Sequence, residues 1–192
     1  MIRLRRALSS DAPAIARVWH DSWHAGHARL KGVQQCLLDD RSMNNFAEQT
    51  PKLLNSGQHL VAEHSESGRL AGFVSVDASE ITQIFVEPAL IGSKGRIGSK
   101  LLAAAESSMA RAYSASAEDS IRAIVHAHEQ NARARQFYQK HGWTQASVLA
   151  DSKIETTLLR PGALHAVLFM HPWPQVRFEK ALCRVTCEPK PQ

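Results

Sequence analysis

Apolar and basic residues alternate along Ile2–Arg6, a period of two that predicts a short edge strand. The period then lengthens. Over residues 13–30, Ile15, Val18, Trp19, Ser22 and Trp23 fall on one helical face, so a long amphipathic helix is expected. Ser9, Ser10 or Asp11 can cap it, and Pro13 suits its first turn. Gly32 breaks the pattern. A second helical stretch over residues 40–54 carries Met43, Phe46, Leu53 and Leu54, with Pro51 expected to divide it. Asn55, Ser56 and Gly57 form a turn. Residues 59–64 and Leu70–Asp77 then read as a hairpin around a turn at 65–69 that holds Gly68.

The stretch EITQIFVEPALIGSKGRIGSKLLAAAE, residues 80–106, organises the rest. Residues 81–86 are an apolar run rich in β-branched and aromatic side chains, closed by Pro88, as in a buried strand. Gly92, Gly95 and Gly98 follow, and then Ser99, Lys100, Leu101 and Leu102 open a run of strong helix formers that reaches Tyr113. Strand, glycine loop and helix start together suit an anion. Glycines admit close approach to backbone N–H groups, and the helix N-terminus adds free donors and partial positive charge. Lys94, Arg96 and Lys100 add formal charge at the same place. The spacing is neither GxxxxGK[ST] nor GxGxxG, so the ligand is anionic but not named by those patterns.

Beyond a polar linker at 114–120, residues 121–128 alternate as a strand, and 131–140 form a helix begun by Asn131 and ended by His141 and Gly142. Residues 143–149 are a further strand candidate, and 154–159 with 164–170 a pair around Arg160, Pro161 and Gly162. The tail holds one strand candidate, 181–186, and a disordered end. The expected order is β-α-α-β-β-β-α-β-α-β-β. That order implies an α+β fold, a mixed and mostly antiparallel central sheet of six or seven strands with helices on both faces. One domain is expected over 1–172, with a partly disordered C-terminal extension over 173–192.

Composition narrows the classes. The chain has 192 residues, 44% of them apolar, enough for one domain with a real core. No apolar run approaches the roughly 20 residues of a membrane span, and no continuous apolar segment marks a signal peptide. The odd set Cys36, Cys183 and Cys187 fits a reducing compartment, so a cytoplasmic location is expected. A net charge of +5 suits an anionic small ligand. Because the basic residues are scattered and no basic–aromatic module is present, neither nucleic acid nor membrane is expected as a partner. His20, His24 and His27 share one helix face, with only Asp21 as a nearby carboxylate. A polar face bordering a cleft is favoured over a metal site, and no metal is expected.

Two segments together resemble the GNAT N-acetyltransferase superfamily. The first is Val86-x-Pro88, the glycine loop, and Ile97-Gly98-Ser99-Lys100-Leu101-Leu102. The second, more specific, is Asn131-Ala132-Arg133-Ala134-Arg135-Gln136-Phe137-Tyr138-Gln139-Lys140-His141-Gly142-Trp143. The resemblance implies a sheet whose two central strands splay apart, with acetyl-CoA in the splay and its pyrophosphate on the loop. It assigns the cofactor to the backbone of Ile84, Phe85 and Val86, to Gly92, Ser93, Lys94, Gly95, Arg96, Ile97, Gly98 and Ser99, and to Asn131 and Arg135. One departure stands out. Counted back from Gly98, the family's usual first glycine falls on Arg96 and its usual Arg or Gln on Ser93. Alternatively, two residues are inserted between Gly92 and Gly98.

The implied activity is acetyl transfer to a primary amine by direct attack in a ternary complex. Tyr138 is the implied general acid for the departing sulfur, a phenol being a suitable donor to a thiolate of comparable basicity. Glu80, at the start of the central strand, is the candidate base, and His126 and His128 lie on one face of the neighbouring strand. Trp19, Trp23, His24 and His27, with His20, are expected to line the acceptor side. The acceptor is expected to be a small amine or an amino-acid-like molecule. A peptide or protein acceptor, and a non-catalytic CoA-binding protein with an altered loop, are the alternatives. Relatives are often dimers, so a homodimer is an expected state.

Overall fold

A computed structural model of the protein describes residues 1–28, 30, 41–113, 120–149 and 175–183. Its strands are β1 (Ile2–Arg6), β2 (Gln58–His64), β3 (Leu70–Asp77), β4 (Glu80–Val86), β5 (Ser120–His128), β6 (Thr144–Leu149) and β7 (Gln175–Cys183). Its helices are α1 (Ala12–His27), α2 (Met43–Leu54), α3 (Ile97–Ala112) and α4 (Ala132–Lys140). The strands form one seven-stranded sheet in the order β1-β2-β3-β4-β5-β7-β6. Every pairing is antiparallel except that of β4 with β5. The expected order of elements and the mixed, mostly antiparallel sheet are both observed. Among the described residues no helix is long and apolar enough to cross a membrane.

Period-two alternation splits the sheet's side chains between two apolar layers. On one face, Leu101, Leu102, Ala105 and Met109 of α3 pack over Ala62, Val74, Ile81, Ala123 and Val125. On the other, Ile15, Val18, Trp19 and Trp23 of α1 and Phe46 and Leu53 of α2 pack over Val61 and Phe73.

Three expectations shift. Pro51 does not divide the second helix, which runs unbroken as Met43–Leu54. Proline removes one backbone donor, and the helix ends soon after it, so the loss is small. The Thr50 hydroxyl donates to the Phe46 carbonyl at 2.7 Å in the same turn. The first helix ends at His27. The strand expected at 181–186 is instead Gln175–Cys183, which lies inside the sheet between β5 and β6 rather than in an appended tail. The strand pair expected at 154–159 and 164–170, and Cys36 and Cys187, lie outside the described residues.

The feature that positions the site is a gap in the ladder. The parallel β4 and β5 pair only at Glu80↔Ile124 and Ile81↔Val125. Past those two, β4 keeps β3 as its partner and β5 keeps β7, so residues 82–86 and 126–128 diverge across an open cleft.

Candidate active site

The loop after β4 starts with a 3-10 turn at Pro88–Leu90 and ends at the first residue of α3. Within it the Ser93 N–H donates to the Leu90 carbonyl at 3.2 Å, and the Arg96 N–H to the Ser93 carbonyl at 3.1 Å. The amides of Lys94, Gly95, Ile97, Gly98 and Ser99 have no backbone acceptor among the described residues. They form a cluster of donors at a helix N-terminus, which is where an anion is stabilised. Lys94, Arg96 and Lys100 are exposed around it, and none forms an ion pair among the described residues. Gly92 has a positive φ of 76°. So has Arg96, with φ 49° and ψ 41°. Counted back from Gly98, the position of the family's first glycine thus has a left-handed backbone although it carries an arginine, a conformation that is strained for any residue with a Cβ.

The second motif packs against this loop. Gly98 lies against the Phe137 ring, where an added Cβ would sit in ordinary contact at 3.5 Å, so the two helices meet at this point. His141 Nδ1–H donates to the Phe137 carbonyl at 2.7 Å, and Nε2 therefore accepts from the Ser99 hydroxyl at 2.9 Å. Asn131 Oδ1 accepts from the Ala134 N–H at 3.1 Å as the cap of α4, which leaves its NH2 group as a donor. Arg135 is not brought to the loop's amides by any bond. It donates to the Glu129 carbonyl at 3.1 Å and reaches Gln145 Oε1 at 3.3 Å, bracing α4 instead.

Tyr138 is 5% exposed and packs with Phe137, Trp143 and Phe178 on the α3 side of the sheet. Burial pushes its phenol above the ordinary range, so the group stays protonated at neutral pH. Below it, Glu106 accepts from Trp143 Nε1 at 2.8 Å and from Lys180 Nζ at 3.0 Å, fastening α3 to β7.

The opposite side of the cleft holds the other candidates. Glu80 and His126 face each other across the neck, with Nδ1 3.2 Å from Oε1. The Ser22 hydroxyl of α1 donates to the Val86 carbonyl at 2.8 Å and ties that helix to the end of β4. Trp19 corrects the expectation for it. At 1% exposed and enclosed by Phe46, Phe73 and Phe85, it is core rather than lining. Trp23 is 2% exposed and stacks on His27 with ring centroids 5.2 Å apart. His24 Nε2–H donates to the Arg41 carbonyl at 2.8 Å, and the Arg41 guanidinium lies 5.6 Å from the Trp23 ring centre. Burial pushes the His27 imidazole down to about 4, helped by the nearby charges of His128, Arg41 and Arg133. Burial likewise lowers His128, whose ring is 6.4 Å from that of His27. Among the described residues no three His, Cys, Asp or Glu side chains converge as metal ligands would.

The structure therefore brings Phe137 and His141 against the loop and the start of α3, leaves Asn131 as the cap of α4, and places Tyr138 on the α3 side of the sheet and Glu80 with His126 on the other face. Residues 55–145 match the family model of the GNAT acetyltransferase domain, a span that contains β4, the loop, α3, β5 and α4. Over that span the chain is similar to a GNAT acetyltransferase domain. Solved structures share the fold over nearly the whole chain. A GCN5-related N-acetyltransferase from Rhodopseudomonas palustris is 19% identical, covers 94% of this chain and 95% of its own, and superposes with a TM-score of 0.64. The PaiA N-acetyltransferase of Thermoplasma acidophilum, solved in complex with coenzyme A, is 16% identical at a TM-score of 0.59, covering 94% and 99%. A ribosomal-protein alanine N-acetyltransferase from Escherichia coli is 14% identical at 0.58, covering 98% and 99%. No sequence among curated proteins matches this one.

Ser22 and His141 were not legible as parts of the site. Their partners, Val86 and Ser99, are 64 and 42 residues away in sequence, so the bonds are not legible even though Val86, Ser99 and His141 stand within the two motifs.

Proposed function

We propose that the protein is an acetyl-CoA-dependent N-acetyltransferase that acts on a small primary amine or an amino-acid-like acceptor. The observation that carries the reading is the cleft between β4 and β5, open from Thr82 onward and fronted by the unbonded amides of the glycine loop. Residues 82–86 span about 17 Å of strand, a depth that suits a long narrow arm with an anionic head at its mouth. The fit is chemical as well as steric: donors and three cations stand where phosphates would lie, and apolar strand walls where the arm would run.

When bound, acetyl-CoA supplies a thioester whose carbonyl carbon accepts the amine. The protein's residues do the rest. The amides of Lys94, Gly95, Ile97, Gly98 and Ser99 and the Lys94, Arg96 and Lys100 side chains hold the anionic end. The Asn131 amide donates to the arm. Strand N–H groups of β4 polarise the carbonyl. Tyr138 holds a proton in an apolar setting on the α3 side and gives it to the departing sulfur. Glu80 places negative charge at the neck, on the side where an amine would arrive.

The test is thiol release from acetyl-CoA by the purified protein with a panel of small amines, amino acids and short peptides. Turnover with small amines is expected. Turnover with peptide N-termini alone would assign a protein acceptor. No turnover in spite of tight binding would assign a CoA-binding protein without catalysis.

A further inference from the structure

We infer that the proton acceptor for the amine is His126, with Glu80 as its positioning residue. The inference rests on the acetyl-transfer reading above. β4 and β5 part immediately after Ile81 and Val125, so His126 is the first residue of β5 beyond the last paired position. Its neighbours Ile121, Ala123, Val125 and Ala127 are buried on the α3 side. Alternation therefore turns His126 to the other face, away from Tyr138. Acid and base thus flank the cleft from opposite sides, which a transfer passing from one side to the other requires.

Glu80 Oε1 lies 3.2 Å from His126 Nδ1. A carboxylate accepts and cannot donate, so Nδ1 carries the hydrogen and the lone pair is left on Nε2. That is the tautomer a general base needs, and it is the arrangement by which a carboxylate orients an imidazole in other acyl-transfer sites. The side chain is 26% exposed, enough to meet an entering amine and to pass a proton on to water. The charged and titratable groups around it on this face are Glu80 on β4, Arg122 and His128 along β5, and Arg177 and Glu179 on β7. Arg177 stands directly across the ladder from His126, and its guanidinium is taken up by Glu179 at 2.8 Å. α1 brings His27, which packs near His128.

The step balances as follows. The ammonium of the acceptor gives one proton to Nε2, and the imidazolium releases it to solvent. The freed nitrogen lone pair forms the C–N bond while the C–S bond breaks, its electron pair leaving on sulfur. The Tyr138 phenol protonates that sulfur and is restored by the second proton shed as the amide forms.

Two measurements test this. The first uses the protein without ligands: nitrogen NMR of the histidine rings should show His126 as the Nδ1–H tautomer, and Glu80→Gln should disperse it between tautomers. A predominant Nε2–H form would overturn the inference. The second compares His126→Gln with wild type for thiol release with a small amine. A fall in kcat/KM of about 100-fold near neutral pH is expected. The gap should narrow as pH rises toward the acceptor's own ionisation, because solvent then removes the proton. An unchanged rate, or a loss of equal size at every pH, would overturn it. Binding of acetyl-CoA to the same variant separates the two claims. Retained binding with lost transfer supports His126, whereas wild-type protein that neither binds nor transfers would fail the acetyl-transfer reading itself.

Discussion

The Ser99 hydroxyl donates to His141 Nε2 at 2.9 Å, joining the first turn of α3 to the residue that ends α4. His141 also holds the Phe137 carbonyl, and Phe137 lies on Gly98. The glycine loop is thus clamped by the second motif. His141→Ala removes both bonds and should destabilise the fold by about 1–2 kcal/mol. It should also weaken acetyl-CoA binding several-fold by loosening the helix start. Urea unfolding and calorimetric titration measure the two effects. Lost stability with unchanged affinity would show that the clamp serves the fold alone.

Arg96 occupies a left-handed backbone position at φ 49°. Arg96→Gly should relieve about 1 kcal/mol of strain. The same change removes a cation from the loop, so affinity for acetyl-CoA should fall while thermal stability rises. Opposite signs in the two measurements are the expected result. A fall in stability would mean that the arginine side chain supports the loop.

Tyr138 is buried with its phenol pushed above the ordinary range. It therefore remains a proton donor throughout the neutral range. Tyr138→Phe keeps the ring packing against Trp143 and Phe178 and removes only the hydroxyl. The expected result is a fall in kcat of about 100-fold with unchanged cofactor affinity. Steady-state kinetics with titration of the variant checks both numbers.

His27 is held neutral by burial, with its titration pushed down to about 4 from the ordinary 6.5. The unfolded chain binds the proton first, so this group contributes stability above pH 6.5 that is lost as pH falls toward 4. Between pH 7 and pH 5 the loss should be about 2 kcal/mol. The carboxyls of Asp11 and Glu63 titrate below their ordinary range because Arg5 and Arg3 bond to them, so their contribution is lost only at more acid pH. His27→Phe should flatten the stability profile between pH 7 and 5, measured by denaturant unfolding.

Much of the fold was legible because local pattern and tertiary role agree. The apolar run of β4, the glycines after it and the helix formers of α3 each signal one element and no other. β7 was harder. Val176, Phe178 and Leu182 share a buried face, but Lys180 interrupts that row, and only the fold shows that its ammonium reaches Glu106. Helical spacing placed Trp19 and His24 on α1 but could not say which part of that helix opens onto a cleft. Trp19 proved to be core, and His24 to hold the Arg41 carbonyl. Arg135 falls within the most specific motif, yet its contacts are to Glu129 and Gln145. A motif match assigns a position to a site more readily than it assigns that side chain's partner.

The most direct measurement is thermal unfolding with and without acetyl-CoA, paired with calorimetric titration. Ligand at a hundred times its Kd should stabilise the fold by about 2.7 kcal/mol. For a chain of this size that is a midpoint rise of about 5–10 °C. A rise of that size, with heat of binding that saturates, is the predicted result. No rise, and no heat at millimolar acetyl-CoA, would contradict the assignment of the β4–β5 cleft and its glycine loop as a cofactor site.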